Sequence, residues 1–191
     1  MIEKCADMIV DWLVKCDAIK ETEKEIYSYA IYSLFLAVSP FFLALVLGVL
    51  MGCIRQSIII VIPFMIIRKY SGGYHQKNLW SCLLCSSLLL LLCIKLSLHC
   101  KFGWLLVVFT TISAISLIIF SPVDNDNRPL SKDDVLHFKQ VITIIVVIML
   151  LIGFCLTLAK LYTFTVCLYI GIMLSSGLQI PCILKQIIKN D

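Results

Sequence analysis

The sequence predicts an all-α fold: a polytopic integral membrane protein with about six transmembrane helices behind an N-terminal amphipathic helix. Two observations carry this expectation. Hydrophobic residues make up 61% of the 191 positions and charged ones only 15%, too little polar surface to cover a globule in water. Apolar runs also recur along the whole length, separated by short polar breaks, so 1–191 reads as one membrane domain. The net charge of +4 is spread over small clusters between those runs. A nucleic-acid-binding protein gathers its cations on a water-facing surface, so this pattern argues against nucleic acid and for orientation in a lipid bilayer.

Residues 1–26 alternate charges with Ile2, Met8, Ile9, Trp12, Leu13, Cys16 and Ile19 at helical spacing, which predicts an amphipathic helix lying in the membrane interface or on the bundle. No basic n-region or cleavage site marks a signal peptide, so the segment is expected in the mature chain. The first span is expected at about 29–53 and the second at 54–67, a short run with Pro63 inside that reads as a span or a re-entrant segment. Further spans are expected at 79–98, 102–120, 141–159 and 161–184, with a longer polar loop between the fourth and fifth. Of the ten cysteines, Cys53, Cys93, Cys155, Cys167 and Cys182 lie in or beside apolar runs and read as small hydrophobes.

Lysine and arginine decide the orientation. With the N-terminus inside, the inner segments hold Lys4, Lys15, Lys20, Lys24, Arg68, Lys69, Lys77, Arg128, Lys132, Lys139, Lys185 and Lys189, against Arg55, Lys101 and Lys160 outside. This bias predicts cytoplasmic N- and C-termini and a genuine second span, since a re-entrant one would invert everything after it.

Between the second and third runs lies a compact polar island, Arg68 to Cys82, with a histidine, a thiol, a diglycine and three cations. His75 and Cys82 are the candidate catalytic pair. Thiol acyl transfer needs a thiolate, and an imidazole to take its proton and later protonate a leaving amine. A cysteine in the first turn of the third span, capped by Asn78 or Ser81, would have its thiolate favoured by the helix dipole. Arg68 and Lys77 add positive potential, and Gly72-Gly73 can turn backbone N–H groups toward an oxyanion. On spacing alone, a solvated topology-setting loop with a buried cysteine explains the same residues equally well. Cys82 and Cys85 also have dithiol spacing, but no second Cys pair accompanies them and His99 and His137 sit in other segments, expected to be loops. Neither a metal site nor any other cofactor is therefore expected.

The island, R-K-Y-S-G-G-Y-H-Q-K-N-L-W-S-C, resembles the signature of the accessory gene regulator B (AgrB) family of membrane peptidases from Gram-positive bacteria. The length, the six-span plan and the segment S-P-V-D-N-D-N-R-P-L after the fourth span resemble that family too. Gln76 stands where many members have Ala, Cys85 is an additional thiol, and Tyr32 occupies a first-span position where members often carry Gln or Glu. The resemblance implies a cysteine endopeptidase of the bacterial cell membrane, its active site at the cytoplasmic face. It implies that Cys82 and His75 cleave the acidic C-terminal tail from an AgrD-like pheromone precursor through a thioester, leading to a thiolactone or lactone ring. Arg68, Gly72, Gly73 and Lys77 would bind substrate or support the site, and a homodimer is implied. The competing reading is a small membrane transporter or scaffold. Against it, Lys95 is the one clear ionisable residue within a span, and such a side chain can snorkel.

Overall fold

A computed structural model of the chain describes residues 2–71, 79–122 and 132–181. Among them are α1 (Ile2–Lys15), α2 (Lys24–Leu50), α3 (Ile54–Ser71), α4 (Leu79–His99), α5 (Trp104–Phe120), α6 (Lys132–Leu158) and α7 (Tyr162–Gly177), with a 3₁₀ turn at Glu21–Glu23 and no strand. The protein is all-helical, and its helices follow the apolar runs in order. They form two compact units, Met1–Phe42 and Leu43–Asp191.

Three of the helix stops share a chemistry. At Gly52, φ is +66°. The Cys53 N–H donates to the Gly48 carbonyl at 2.8 Å and the Gly52 N–H to that of Val49 at 3.1 Å, a Schellman cap that ends α2. Asp17 (φ 53°) and Lys160 (φ 59°) occupy the same left-handed position after α1 and α6, with the same pair of returning hydrogen bonds. Residues 1–26 are therefore not one helix. The left-handed turn at Asp17 stops α1 at Lys15, and a fresh start follows at Lys24.

In the first unit, α1 is joined to the start of α2 by its polar side. Lys24 Nζ lies 2.6 Å from Asp11 Oδ1, and the Ser28 hydroxyl donates to Asp7 Oδ1 at 2.5 Å. The hydrogen bond to Asp11, then the attraction of its charge, holds the Lys24 pKa above its usual value. Ala6 and Val10 are buried, whereas Met8 and Trp12 are turned outward.

In the second unit α7 is the central element and packs against α3, α4, α5 and α6. It is buried on every side from Thr165 to Ile172, as expected of a helix surrounded by others. The outer helices reverse the habit of a water-soluble protein. On α5, Thr110 and Ala114 face inward while Trp104, Phe109, Ile112 and Ile119 face outward. Hydroxyls inside the bundle return to their own helices: Thr110 donates to the Leu106 carbonyl at 2.7 Å and Ser175 to that of Gly171 at 3.0 Å. Large apolar side chains outside and small polar ones satisfied within suit an apolar solvent. Among the described residues, two helical stretches, Glu21–Leu50 and Val135–Leu158, are long and apolar enough to cross a membrane.

Pro63 does not break α3, an uninterrupted helix of 18 residues, about 27 Å at the α-helical rise. At one end of the unit, Cys53 after α2, Cys100 after α4 and Cys167 near the start of α7 share a cluster, and Phe102 stacks on Tyr162 with ring centroids 5.3 Å apart. The C-terminal ends of α3, α5 and α7 come together elsewhere, through Ser71, Ser121 and Gln179. Hence α3, α5 and α7 run in the same direction. Two histidines expected in loops are helical instead: His137 lies within α6, and His99 is the last residue of α4. The polar stretch ahead of Val141 is already helical from Lys132.

Candidate active site

The last turn of α3 carries the island's first cations, Arg68 and Lys69, next to the helix carbonyl end, which favours positive charge. Arg68 Cζ stands 5.8 Å from the centroid of the Phe64 ring, a cation–π distance, and Phe64 is itself buried. Lys69 is exposed, with its ammonium 5.4 Å from the Tyr70 ring. Tyr70 turns inward to Phe138 of α6, ring centroids 6.2 Å apart. The C-terminal turn of α3 is thus held by aromatic packing against the polar start of α6.

Gly72, Gly73, His75 and Lys77, with Asn78, lie outside the described residues. Cys82 is the fourth residue of α4, and Cys85 follows it by about one turn. The opening turn of a helix presents N–H groups without helical acceptors, and the associated dipole stabilises an anion such as a thiolate. Ser81 is already inside α4 and is not its cap. Among the described residues, no three His, Cys, Asp or Glu side chains come together as a metal site requires.

One residue of this region was not singled out by sequence reasoning. Gln179, just past α7, is 1% exposed, and its Nε2 donates to the Ser71 carbonyl at 3.2 Å and to the Ser121 hydroxyl at 2.7 Å. Ser71 ends α3 and immediately precedes Gly72; Ser121 caps α5 ahead of the long polar loop. The amide therefore ties together the points from which both connections depart. A lone Gln between Leu178 and Ile180 in an apolar run was the available signal, because a polar side chain there needs partners.

Comparison with known proteins identifies the relationship. The sequence pattern of the family Accessory gene regulator B matches residues 6–182. Over 142 residues the chain is 28% identical to the putative AgrB-like protein 2 of Clostridium perfringens (strain 13 / Type A), covering 70% of this chain and 66% of that protein. A putative AgrB-like protein of Clostridium perfringens (strain SM101 / Type A) is 26% identical over 142 residues, with the same coverage of 70% and 66%. The protein FsrB of Enterococcus faecalis (strain ATCC 47077 / OG1RF) is 28% identical over 82 residues, covering 39% of this chain and 33% of FsrB. The matched stretch thus spans just under two thirds of the Clostridium relatives. No solved structure matches. With the family pattern running from the first helix to beyond the last, this chain belongs to the accessory gene regulator B family.

Proposed function

We propose that this protein is a multi-pass membrane cysteine endopeptidase that removes the C-terminal tail of an AgrD-like pheromone precursor and promotes cyclisation of the remainder. The observation that carries this reading is the island at residues 68–82, with its His and Cys at the spacing of the family to which the chain belongs. Cys82 lies early in α4, and a thiol near a helix N-terminus is favoured in its ionised form, which supports this reading.

In this mechanism His75 takes the Cys82 proton, and the thiolate attacks the carbonyl carbon at the junction of signal and tail. The C–N bond breaks, and the imidazolium returns the proton to the departing amine. The signal segment remains on Cys82 as a thioester. A side-chain thiol or hydroxyl of that segment then gives its proton to His75 and attacks the thioester carbon, and Cys82 leaves as thiolate while the ring closes. Exchange of one thioester for another is nearly balanced, so excluding water protects the intermediate from hydrolysis. Arg68, Lys69 and Lys77 supply a positive field for an acidic tail, and Gly72-Gly73 supplies backbone donors for the oxyanion.

The outward apolar surfaces and the common direction of α3, α5 and α7 support an alternating six-span arrangement. With the bias of Lys and Arg, it gives cytoplasmic termini and a cytoplasmic site in a Gram-positive cell membrane. The test is to incubate a precursor with membranes carrying the parent protein or its Cys82→Ala, Cys85→Ala or His75→Ala variants. Cleavage ends with Cys82→Ala and His75→Ala and persists with Cys85→Ala. Cleavage that survives Cys82→Ala would sink the proposal, and the transporter or scaffold reading would take its place.

A further inference from the structure

We propose that Lys95, His99 and Lys101, at the end of α4 away from the island, form a binding edge for the phosphate of an anionic phospholipid headgroup. The inference rests on the reading of the chain as membrane-spanning, and it is independent of the catalytic pair.

The two sides of α4 differ sharply. Leu90, Ile94 and Ser97 are buried toward the bundle. On the opposite side Leu88 and Leu92 are 67% and 61% exposed, and Lys95 and His99 follow them, also exposed. Side chains four apart on a helix are neighbours, and their Cα atoms differ in height by about 6 Å. A lysine side chain extends along that rise, so the Lys95 ammonium reaches the level of His99 while its methylenes stay on apolar surface. Lys101, exposed as well, comes just after α4 ends. Aromatic residues mark this level as a membrane interface. Phe102 stacks on Tyr162 here, and Trp104, 73% exposed, opens α5. Tryptophan and tyrosine favour the boundary between hydrocarbon and water.

The helices around this edge supply no counter-ion for it. Residues 43–123 and 135–190 contain no Asp or Glu. The first turns of α6, which carry Asp133 and Asp134, adjoin the end of α3 through Phe138 and Tyr70. Cys53, ahead of α3, shares a cluster with Cys100, so Lys95 and Lys101 belong to the other end of the bundle. A lipid phosphate meets the need. It accepts charge-assisted hydrogen bonds from an ammonium or an imidazole N–H, and its acyl chains lie along Leu88 and Leu92. A zwitterionic headgroup brings a cation of its own, so cations without carboxylates favour a headgroup of net negative charge.

The test places the full-length protein in nanodiscs of equal parts phosphatidylglycerol and phosphatidylcholine and counts, by native mass spectrometry, the lipids that stay bound. The parent is expected to retain phosphatidylglycerol in preference. Lys95→Gln and Lys101→Gln each lower the ratio of bound phosphatidylglycerol to phosphatidylcholine about 5-fold, the loss of one cation at an anionic lipid surface. Lys95→Arg keeps the ratio within about 2-fold, because charge and donors persist. Lys139→Gln removes an exposed cation of α6 at the opposite end and leaves the ratio within about 2-fold. A parent without preference overturns the inference. So does an equal fall with Lys139→Gln, which reduces the effect to diffuse attraction between a basic protein and an anionic surface. If Lys95→Gln does not accumulate, Lys101→Gln, outside the helix, decides the matter. Parent protein that fails to insert into nanodiscs overturns the spanning reading and this inference with it; inserted protein without lipid preference overturns this inference alone.

Discussion

Gly171 of α7 meets Pro63 of α3 so closely that a Cβ on the glycine would stand 2.6 Å from the Pro63 Cγ and 2.6 Å from the Ile60 carbonyl oxygen. The two helices approach nearly backbone to backbone here, at the principal contact of the central helix. Inside a bilayer, helix association gains little from the hydrophobic effect and depends on such close packing. The contact also limits adjustment, because a backbone oxygen and a proline ring cannot swing aside as a flexible side chain can.

Gly171→Ala is therefore expected to destabilise the second unit by about 1–3 kcal/mol, the range for overpacking a tight contact. Gly171→Leu would separate the helices and prevent accumulation of folded protein. Gly103→Ala is the control, since a Cβ there meets nothing within 4 Å and the backbone φ of −164° suits any residue. The measurement is the melting temperature of the detergent-solubilised proteins. A Gly171→Ala melting point equal to that of Gly103→Ala would contradict the described packing.

The three left-handed helix stops give a paired prediction. At Gly52 the space is open, and only the positive φ opposes a side chain, so Gly52→Ala costs about 1 kcal/mol and Gly52→Asn less. At Lys160 the strain is already present, so Lys160→Gly stabilises by up to about 1 kcal/mol. Opposite signs at two equivalent positions in the same unfolding assay are the expected result. Destabilisation by Lys160→Gly would show that the lysine side chain contributes more than its backbone strain removes.

The number and order of the described helices were legible because the apolar runs stand apart and each break is marked by polar residues or a turn former. Helix ends were less legible. The stop at Lys15 depends on a left-handed Asp17, which composition does not announce, and α6 begins at Lys132, in a stretch too polar to read as part of a span. Which helix lies at the centre was hidden, since every run is apolar all round. The distinguishing residues on α7 are small or polar, such as Thr165, Gly171, Ser175 and Ser176. The candidate site was legible only as local spacing: His75 and Cys82 lie in one short stretch of sequence, whereas Gln179 finds its partners 58 and 108 residues away. Long-range hydrogen bonds of that kind leave no periodic trace in a single sequence.

The attachment of α1 to the start of α2 is expected to depend on pH in the alkaline range. Lys24 lies ahead of the expected first span, and its bond to Asp11 raises its pKa above the usual 10.5. A raised value means that folding favours the charged ammonium. The stabilisation is complete below pH 10.5 and disappears as pH rises through the higher value of the folded state. Both side chains are partly exposed, 40% and 49%, so salt weakens the pair as well. Trp12, exposed on α1, reports the attachment once Trp80 and Trp104 are replaced by Phe. Its fluorescence anisotropy is expected to stay level from about pH 7 to about pH 10 and to fall beyond, as lysine loses its proton. In Lys24→Gln it is low throughout. In Lys24→Arg, whose charge persists past pH 12, it stays high beyond the parent's transition. A transition in Lys24→Arg at the same pH as in the parent would assign the change to another group.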